Sequence, residues 1–125
     1  MNKAIKTVTL LPAILLGLVG LRWLIDPAGA AGELGMPLLD GLGRSTQIGD
    51  LTSFFITSSV LIFLGVFTGK REWLYAPAVL LGLTAIFRIL AWAVHGAAFA
   101  TAAIAVEVVS TAILLFAASR IKPAG

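Results

Sequence analysis

Four ionisable side chains lie inside stretches that are otherwise apolar, and their types are the ones best suited to chemistry. They are two cations and two anions: Arg22, Asp50, Arg88 and Glu107. An unpaired charge in hydrocarbon costs at least about 2.5–3.5 kcal/mol, so such groups usually face other helices, pair with each other and mark functional sites. We therefore expect a polar cluster that either binds a ligand or sets the register of the helices.

A polar and aromatic stripe surrounds Arg88 in the stretch "LTAIFRILAWAVHG" (83–96). Thr84, Trp92 and His95 stand at helical spacings from Arg88 that place all four on one face. We predict that Thr84 and Trp92 line a pocket beside Arg88 and that His95 lies at its mouth. The alternatives are that His95 is a polar residue of an interfacial turn and that Trp92 is an interfacial anchor.

A second stripe follows Asp50 at the spacing of one helical face and carries the hydroxyls of Ser53 and Thr57. We predict that both hydroxyls line the same pocket. The structural alternative is that they bond backbone carbonyls of their own helix or of a neighbouring one, as hydroxyls in membrane helices often do.

Four stretches are apolar over roughly 20 residues, the length that crosses a bilayer. They cover about 7–25, 47–68, 73–94 and 97–118. Composition agrees, because 59% of the 125 residues are hydrophobic and only 12% are charged, against about 25% in soluble domains. The predicted fold class is all-α: a single domain that forms an integral membrane up-down bundle of four transmembrane helices.

The connections predict how these helices are arranged. Those at 69–72 and 95–96 are so short that the second, third and fourth helices must be antiparallel neighbours. The first connection, at about 26–46, is long, rich in Gly, Ala and Pro, and partly apolar. We expect this outer loop to lie at the membrane interface or to fold back over the helices.

The basic residues predict the orientation in the membrane. Six of them flank helix ends that an even number of helices places on one side: Lys3, Lys6, Lys70, Arg71, Arg120 and Lys122. Because Lys and Arg are enriched in cytoplasmic segments, both termini are predicted inside and the long connection outside. A competing interpretation is a signal peptide cleaved at "AGA" (28–30), which would leave three helices.

Several kinds of chemistry are not predicted, because the residues they need are missing. The chain contains no cysteine and a single histidine, which argues against thiolate chemistry and against a Cys- or His-based metal site. Motifs for phosphate loops, zinc proteases and nucleophilic catalysis are absent. The net charge of +3 comes from helix-flanking residues, so we expect no nucleic-acid partner, and we predict no resident cofactor.

Depth along the helices predicts how the four internal charges pair. At a rise of about 1.5 Å per residue, Arg22 and Asp50 lie at matched depth. Arg88 and Glu107 differ by about one turn, which a long Arg side chain can cross. We therefore expect Arg88–Glu107 and Arg22–Asp50 pairs in the outer half of the bundle, with Asp50 as a further neighbour of Arg88.

Three stretches are distinctive in combination: "WLIDPAGAAGELGMPLLDGLGRSTQIGDL", "REWLYAPAVLLGLTAIFRILAWAVHG" and "VEVV" in the last helix. With them the chain resembles, over nearly its whole length, the DoxX-like superfamily of small membrane proteins and its members of unknown function. The most specific positions are Gly49-Asp50, Arg88, His95-Gly96 and Glu107. The resemblance implies a four-helix bundle in the bacterial inner membrane. Relatives called DoxD are linked to quinone-coupled sulfur oxidation, which implies a quinone as one ligand class.

Three functions remain open as hypotheses. The first is binding of a hydrophobic small molecule, lipid or quinone-like, in an outward-facing polar pocket. The second is a non-catalytic accessory subunit of a larger membrane complex or a homo-oligomer, favoured by the alanine-rich last helix. The third is a lipid-modifying enzyme such as an isomerase, with Asp50 or Glu107 as acid–base. Membrane lipids are partners in each case.

Overall fold

The computed structural model describes residues 1–122, and all regular secondary structure within that range is helical. The helices follow in chain order as α1 (Lys3–Ile25), α2 (Pro27–Glu33), α3 (Gly41–Thr68), α4 (Glu72–His95) and α5 (Thr101–Ser119). α1, α3, α4 and α5 are each long and apolar enough to cross a membrane. The predicted number of such helices is confirmed.

The outward faces of these four helices carry large apolar side chains. Exposed examples are Leu18 on α1, Phe67 on α3, Phe87 on α4 and Val109 on α5. Extensive apolar surface is unfavourable in water and marks a membrane or partner contact. Helix length, composition and surface thus agree with a multi-pass membrane protein.

Local hydrogen bonds explain where α1 and α2 begin. The Asn2 Oδ1 atom accepts a hydrogen bond of 2.9 Å from the N–H of Ile5 and caps the start of α1. The carboxylate of Asp26 accepts from the N–H of Gly29 at 3.2 Å, and Pro27 is the first residue of α2. Asp at the cap followed by Pro is a strong start signal, because proline needs no N–H partner there.

Glycines in the left-handed conformation end α3 and α4. Gly69 has φ of 68° and Gly96 has φ of 69°, values that residues with a β-carbon rarely adopt. The N–H groups of Gly96 and Ala97 both donate to the carbonyl of Ala91, which closes the last turn of α4. The chain can therefore reverse within a few residues at both places.

The predicted outer loop at 26–46 is largely helical, because it contains α2 and the first turns of α3. α3 begins at Gly41 instead of near 47. Arg44 supports this early start by donating from Nη2 to the Asp40 carboxylate at 3.1 Å and from Nε to the carbonyl of Leu39 at 2.9 Å. The glycines at 41–43 favour a loop by propensity, and these side-chain contacts override that preference.

The last connection is longer than predicted. α5 begins at Thr101 instead of near 97, so five residues at 96–100 join it to α4. Within them, Phe99 turns back and sets its ring edge-on to that of Trp92, with centroids 5.2 Å apart. The alanines around Phe99 would also suit a helix, and the aromatic contact decides the conformation instead.

The chain divides into two compact units, and α1 and α3 contribute to both. Unit 2 comprises residues 11–60. In it α1 and α3 run antiparallel: Ser59 Oγ donates to the carbonyl of Ala13 at 2.6 Å, and Gly20 lies beside Ile56. Small residues and hydroxyls at such a contact are typical of helix packing in membranes.

Among the described residues, unit 1 comprises 1–10 and 61–122. The end of α3 packs on α4 where Gly65 meets Leu74, and α4 packs on α5 where Gly82 meets Thr111. Gly65 near the end of α3 meets Leu74 near the start of α4. Along α4, Gly82 meets Thr111 and the later residue Arg88 meets the earlier residue Glu107, so α4 and α5 run antiparallel. The predicted antiparallel succession of α3, α4 and α5 is confirmed within this unit.

Candidate binding site

Arg88 on α4 and Glu107 on α5 form an ion pair in unit 1. The Nε atom of Arg88 donates to both carboxylate oxygens of Glu107, at 2.9 and 3.1 Å. The Glu107 side chain is only 10% exposed, whereas that of Arg88 is 34% exposed. The predicted pair is confirmed, and the antiparallel packing of the two helices brings its members to a common level.

Close packing of α4 and α5 holds the Glu107 carboxylate in place. A β-carbon added at Gly82 would lie 3.4 Å from the methyl group of Thr111, so the two helices nearly touch there. The hydroxyl of Thr111 donates to the carbonyl of Glu107 at 2.7 Å and is thereby satisfied within its own helix. Glu107 therefore projects from a well-supported backbone.

The guanidinium of Arg88 has N–H donors that no residue from 1 to 122 binds. An arginine carries five N–H groups in a planar fork, and Glu107 engages the one on Nε. Within residues 1–122, neither Nη1 nor Nη2 of Arg88 has a hydrogen-bond partner. An unsatisfied donor is unfavourable in apolar surroundings, so this edge of Arg88 is where an external oxygen atom would bind.

Aromatic rings lie one helical turn from Arg88. Trp92 follows it by four residues and therefore shares its face of α4. The Trp92 ring meets that of Phe99 edge-on at 78°, and each residue is about half exposed. Thr84, one turn in the other direction, donates its hydroxyl to the carbonyl of Leu80 at 2.7 Å. The charge of Arg88 thus has the aromatic rings of Trp92 and Phe99 about one helical turn away.

His95 is the exposed last residue of α4. Its side chain makes no hydrogen bond in the part of the chain that the structure describes. A basic side chain in the last turn is favourable beside the partial negative charge of a helix C-terminus. His95 thus ends α4 directly before the turn, and its position at the membrane interface stays a prediction.

Arg22 in unit 2 bonds other carboxylates than the predicted one. Its guanidinium contacts Glu33 and also Asp26, the latter at 3.5 Å. Asp50 is exposed and forms no ion pair with any of residues 1–122. The predicted Arg22–Asp50 pair is therefore wrong. Matched depth does not determine which carboxylate an Arg reaches, and α2 brings Glu33 back to the end of α1.

The hydroxyls predicted to line the pocket on α3 point outward. Ser53 and Thr57 are exposed, whereas the next two hydroxyls along the helix are buried. Ser58 donates to the carbonyl of Phe54 at 2.7 Å, and Ser59 donates to a carbonyl of α1. The hydroxyls of Ser58 and Ser59 are thus satisfied by carbonyls of α3 and α1, and the face with Asp50 lies on the surface.

Sequence reasoning missed Gln47, a buried polar side chain of unit 2 with 8% exposure. Its Oε1 atom accepts from the N–H of Leu39 at 2.8 Å, and its Nε2 atom donates to the carbonyl of Pro37 at 3.0 Å. Gln47 thereby holds the segment before α3 against the helix. The available signal was a lone glutamine where an apolar run begins.

Trp23 forms the centre of the unit 2 core and is fully buried against Ala30 and Ala31. Its Nε1 atom and the Thr52 hydroxyl oxygen are buried without a hydrogen-bond partner among residues 1–122. α2 folds back over the end of α1 and covers Trp23.

Comparison with protein-family models, with curated proteins and with solved structures finds no match to this chain. The candidate site therefore depends on its own geometry. That geometry is a guanidinium oriented by a buried carboxylate, with donors on one edge that have no partner among residues 1–122, and with aromatic rings one helical turn away.

Proposed function

We propose that this protein is a multi-pass protein of the bacterial inner membrane that binds a hydrophobic molecule with a carbonyl head, such as a quinone. One observation supports this most directly: Nε of Arg88 is bound by Glu107, while its Nη donors have no partner within residues 1–122. The carboxylate orients the donor fork before any ligand arrives. Pre-organised donors bind more tightly because less ordering is needed on binding.

The charge balance favours a neutral head group over an anionic one. Glu107 already compensates the positive charge of Arg88. A second anion at this pair would bring an uncompensated charge into apolar surroundings, which is strongly unfavourable. A carbonyl oxygen satisfies the N–H donors of Arg88 without adding charge. Trp92 and Phe99 offer aromatic surface to a flat ring.

Membrane insertion with both termini inside is part of the proposal, and the lack of cysteine makes it testable. We expect Asn2→Cys to be protected from an impermeant maleimide in intact cells and Gly32→Cys, an exposed position with room for a β-carbon, to be labelled. The reason is the excess of basic residues on the side of the termini. Permeabilised cells provide the control, because both cysteines should then react. Labelling of Asn2→Cys in intact cells would contradict the orientation.

Ligand binding can be tested with a decyl-substituted benzoquinone and protein in lipid nanodiscs. The variant is Arg88→Met with Glu107→Leu, which removes both charges together and leaves no unpaired ion. Hydrogen bonds to a charged group contribute about 1.5–3 kcal/mol, so we expect at least about tenfold weaker binding. Quenching of tryptophan fluorescence measures the affinity. Empty nanodiscs correct for partitioning of the benzoquinone into the lipid.

A matched control is available at the turn between α3 and α4. Arg71→Met with Glu72→Leu makes the same two chemical changes outside the candidate site, and it should leave the affinity unchanged. Equal affinity of the wild type and the Arg88–Glu107 double variant would contradict a role of Arg88 in holding the head group. Binding of an alkyl phosphate in place of the quinone would contradict the preference for a neutral head.

The accessory-subunit hypothesis has one supporting observation. Exposed small residues recur along α5 at Ala102, Ala105 and Ala112, and small residues allow close approach of another membrane helix. No quinone binding, together with a protein that co-purifies stoichiometrically, would favour this function. The isomerase hypothesis needs a free carboxylate: both oxygens of Glu107 accept from Arg88, whereas Asp50 is exposed and forms no ion pair within residues 1–122.

A further inference from the structure

An apolar groove lies in unit 1 between the first turns of α1 and the last turns of α5. Its volume is about 170 Å³, and it is lined by Ala4, Ile5, Val8, Thr9, Ile113 and Phe116. The only hydroxyl in the lining is already satisfied, because Thr9 Oγ1 donates to the carbonyl of Ile5 at 2.7 Å. The groove therefore offers apolar contacts alone, which suits a hydrocarbon chain.

The guanidinium of Arg120 lies at the edge of this groove. The Cζ atom of Arg120 lies 4.9 Å from the centroid of the Phe116 ring, which belongs to the lining. The cation–π contact keeps the guanidinium beside the apolar surface. Arg120 is exposed and forms no ion pair with any of residues 1–122. No residue from 1 to 122 accepts a hydrogen bond from its side chain, and an anion that approaches the end of the groove would meet these donors.

The surrounding charge at this end of unit 1 is strongly positive. The start of α1, the turn before α4 and the end of α5 meet there, because α4 and α5 are antiparallel. They carry one acidic residue, Glu72, and six basic ones: Lys3, Lys6, Lys70, Arg71, Arg120 and Lys122. None of the six forms an ion pair within residues 1–122. An anionic occupant would compensate this charge.

We propose that the groove holds an acyl chain of an anionic glycerophospholipid whose phosphate binds Arg120. The apolar lining and the cation at its edge match the two parts of such a lipid. A free phosphate would gain nothing from the lining, and in a zwitterionic lipid the cation of the head group compensates the phosphate and weakens its attraction to Arg120. The site differs from that of Arg88, whose charge Glu107 compensates. It depends on membrane insertion and not on the quinone-like ligand.

The test is native mass spectrometry of the detergent-solubilised protein with phosphatidylglycerol or phosphatidylcholine of identical chains. A direct hydrogen bond between charged groups, as proposed for Arg120 and the phosphate, contributes about a tenfold change in affinity. We expect a preference for phosphatidylglycerol of at least that size in the wild type and its loss in Arg120→Gln. Ala4→Phe should weaken the binding of both lipids, because the added ring enters the groove from an exposed position.

The control for net charge is Arg71→Gln, which removes one positive charge at the same end but does not line the groove. It should change phosphatidylglycerol binding by less than about twofold. Equal losses in Arg71→Gln and Arg120→Gln would mean diffuse attraction and would overturn the proposal. Unchanged lipid binding in Ala4→Phe would show that the acyl chain does not lie in the groove and would also overturn the proposal. Circular dichroism shows whether each variant keeps its helices.

Discussion

Glu107→Leu is expected to lower the free energy of unfolding by about 3 kcal/mol, within the range of about 3–5 kcal/mol for a broken buried ion pair. The reason is that Arg88 would keep its charge inside an apolar helix without a partner. A guanidinium stays protonated in proteins and cannot become neutral. The partial exposure of Arg88, 34%, places the effect at the lower end of that range.

Arg88→Met should lower the free energy of unfolding by less than Glu107→Leu does, although it breaks the same contact. The remaining carboxyl group can take up a proton and become neutral, which the guanidinium cannot do. The double variant should be close to the wild type, because apolar side chains of similar volume replace an ion pair with little change in stability. Titration with SDS in mixed micelles, followed by circular dichroism, measures all three.

The double variant also separates structure from function. If it is as unstable as Glu107→Leu, the loss comes from packing and not from an unpaired charge. If it is stable but no longer binds the benzoquinone, the pair serves ligand binding. A stable double variant that binds normally would leave the pair with a structural role alone. These results can be distinguished because stability and binding are measured on the same protein.

The second large effect is expected from a single methyl group in the contact of α1 with α3. A β-carbon at Gly20 would lie 2.7 Å from Ile56 Cδ1 and 3.2 Å from the backbone nitrogen of Ile56. The side chain can rotate away, but the backbone of α3 cannot. We expect Gly20→Ala to lower the free energy of unfolding by about 1–3 kcal/mol, as overpacking does elsewhere.

Gly49→Ala is the matched control, since it makes the same change in a helix of the same unit. Nothing lies within 4 Å of a β-carbon at Gly49. Alanine stabilises a helix interior by about 0.5–1 kcal/mol relative to glycine, so this variant should be slightly more stable than the wild type. The SDS titration is again the measurement. A change of the same sign in the free energy of unfolding for both substitutions would contradict a close contact at Gly20.

Helix ends illustrate how far local signals extend in this chain. Asp26 before Pro27 marks the start of α2 by ordinary capping chemistry. α3 also begins directly after an aspartate, Asp40, and Arg44 contacts Asp40 and Leu39 there, but the glycines at 41 and 43 favour a loop by propensity and mask this start. Likewise α5 begins late because Phe99 packs on Trp92. Contacts that form only after the chain has folded are not visible in propensity.

The sequence by itself determined the four long apolar helices and the charges inside them. A segment that crosses hydrocarbon needs a certain length of apolar side chains, and that requirement is written in composition alone. The pair of Arg88 with Glu107 also followed, because a short connection leaves adjacent helices few arrangements. The tertiary structure decided that Arg22 bonds Glu33 and that Ser53 and Thr57 face outward. Rise per residue specifies depth, whereas the rotation of each helix about its axis comes from packing.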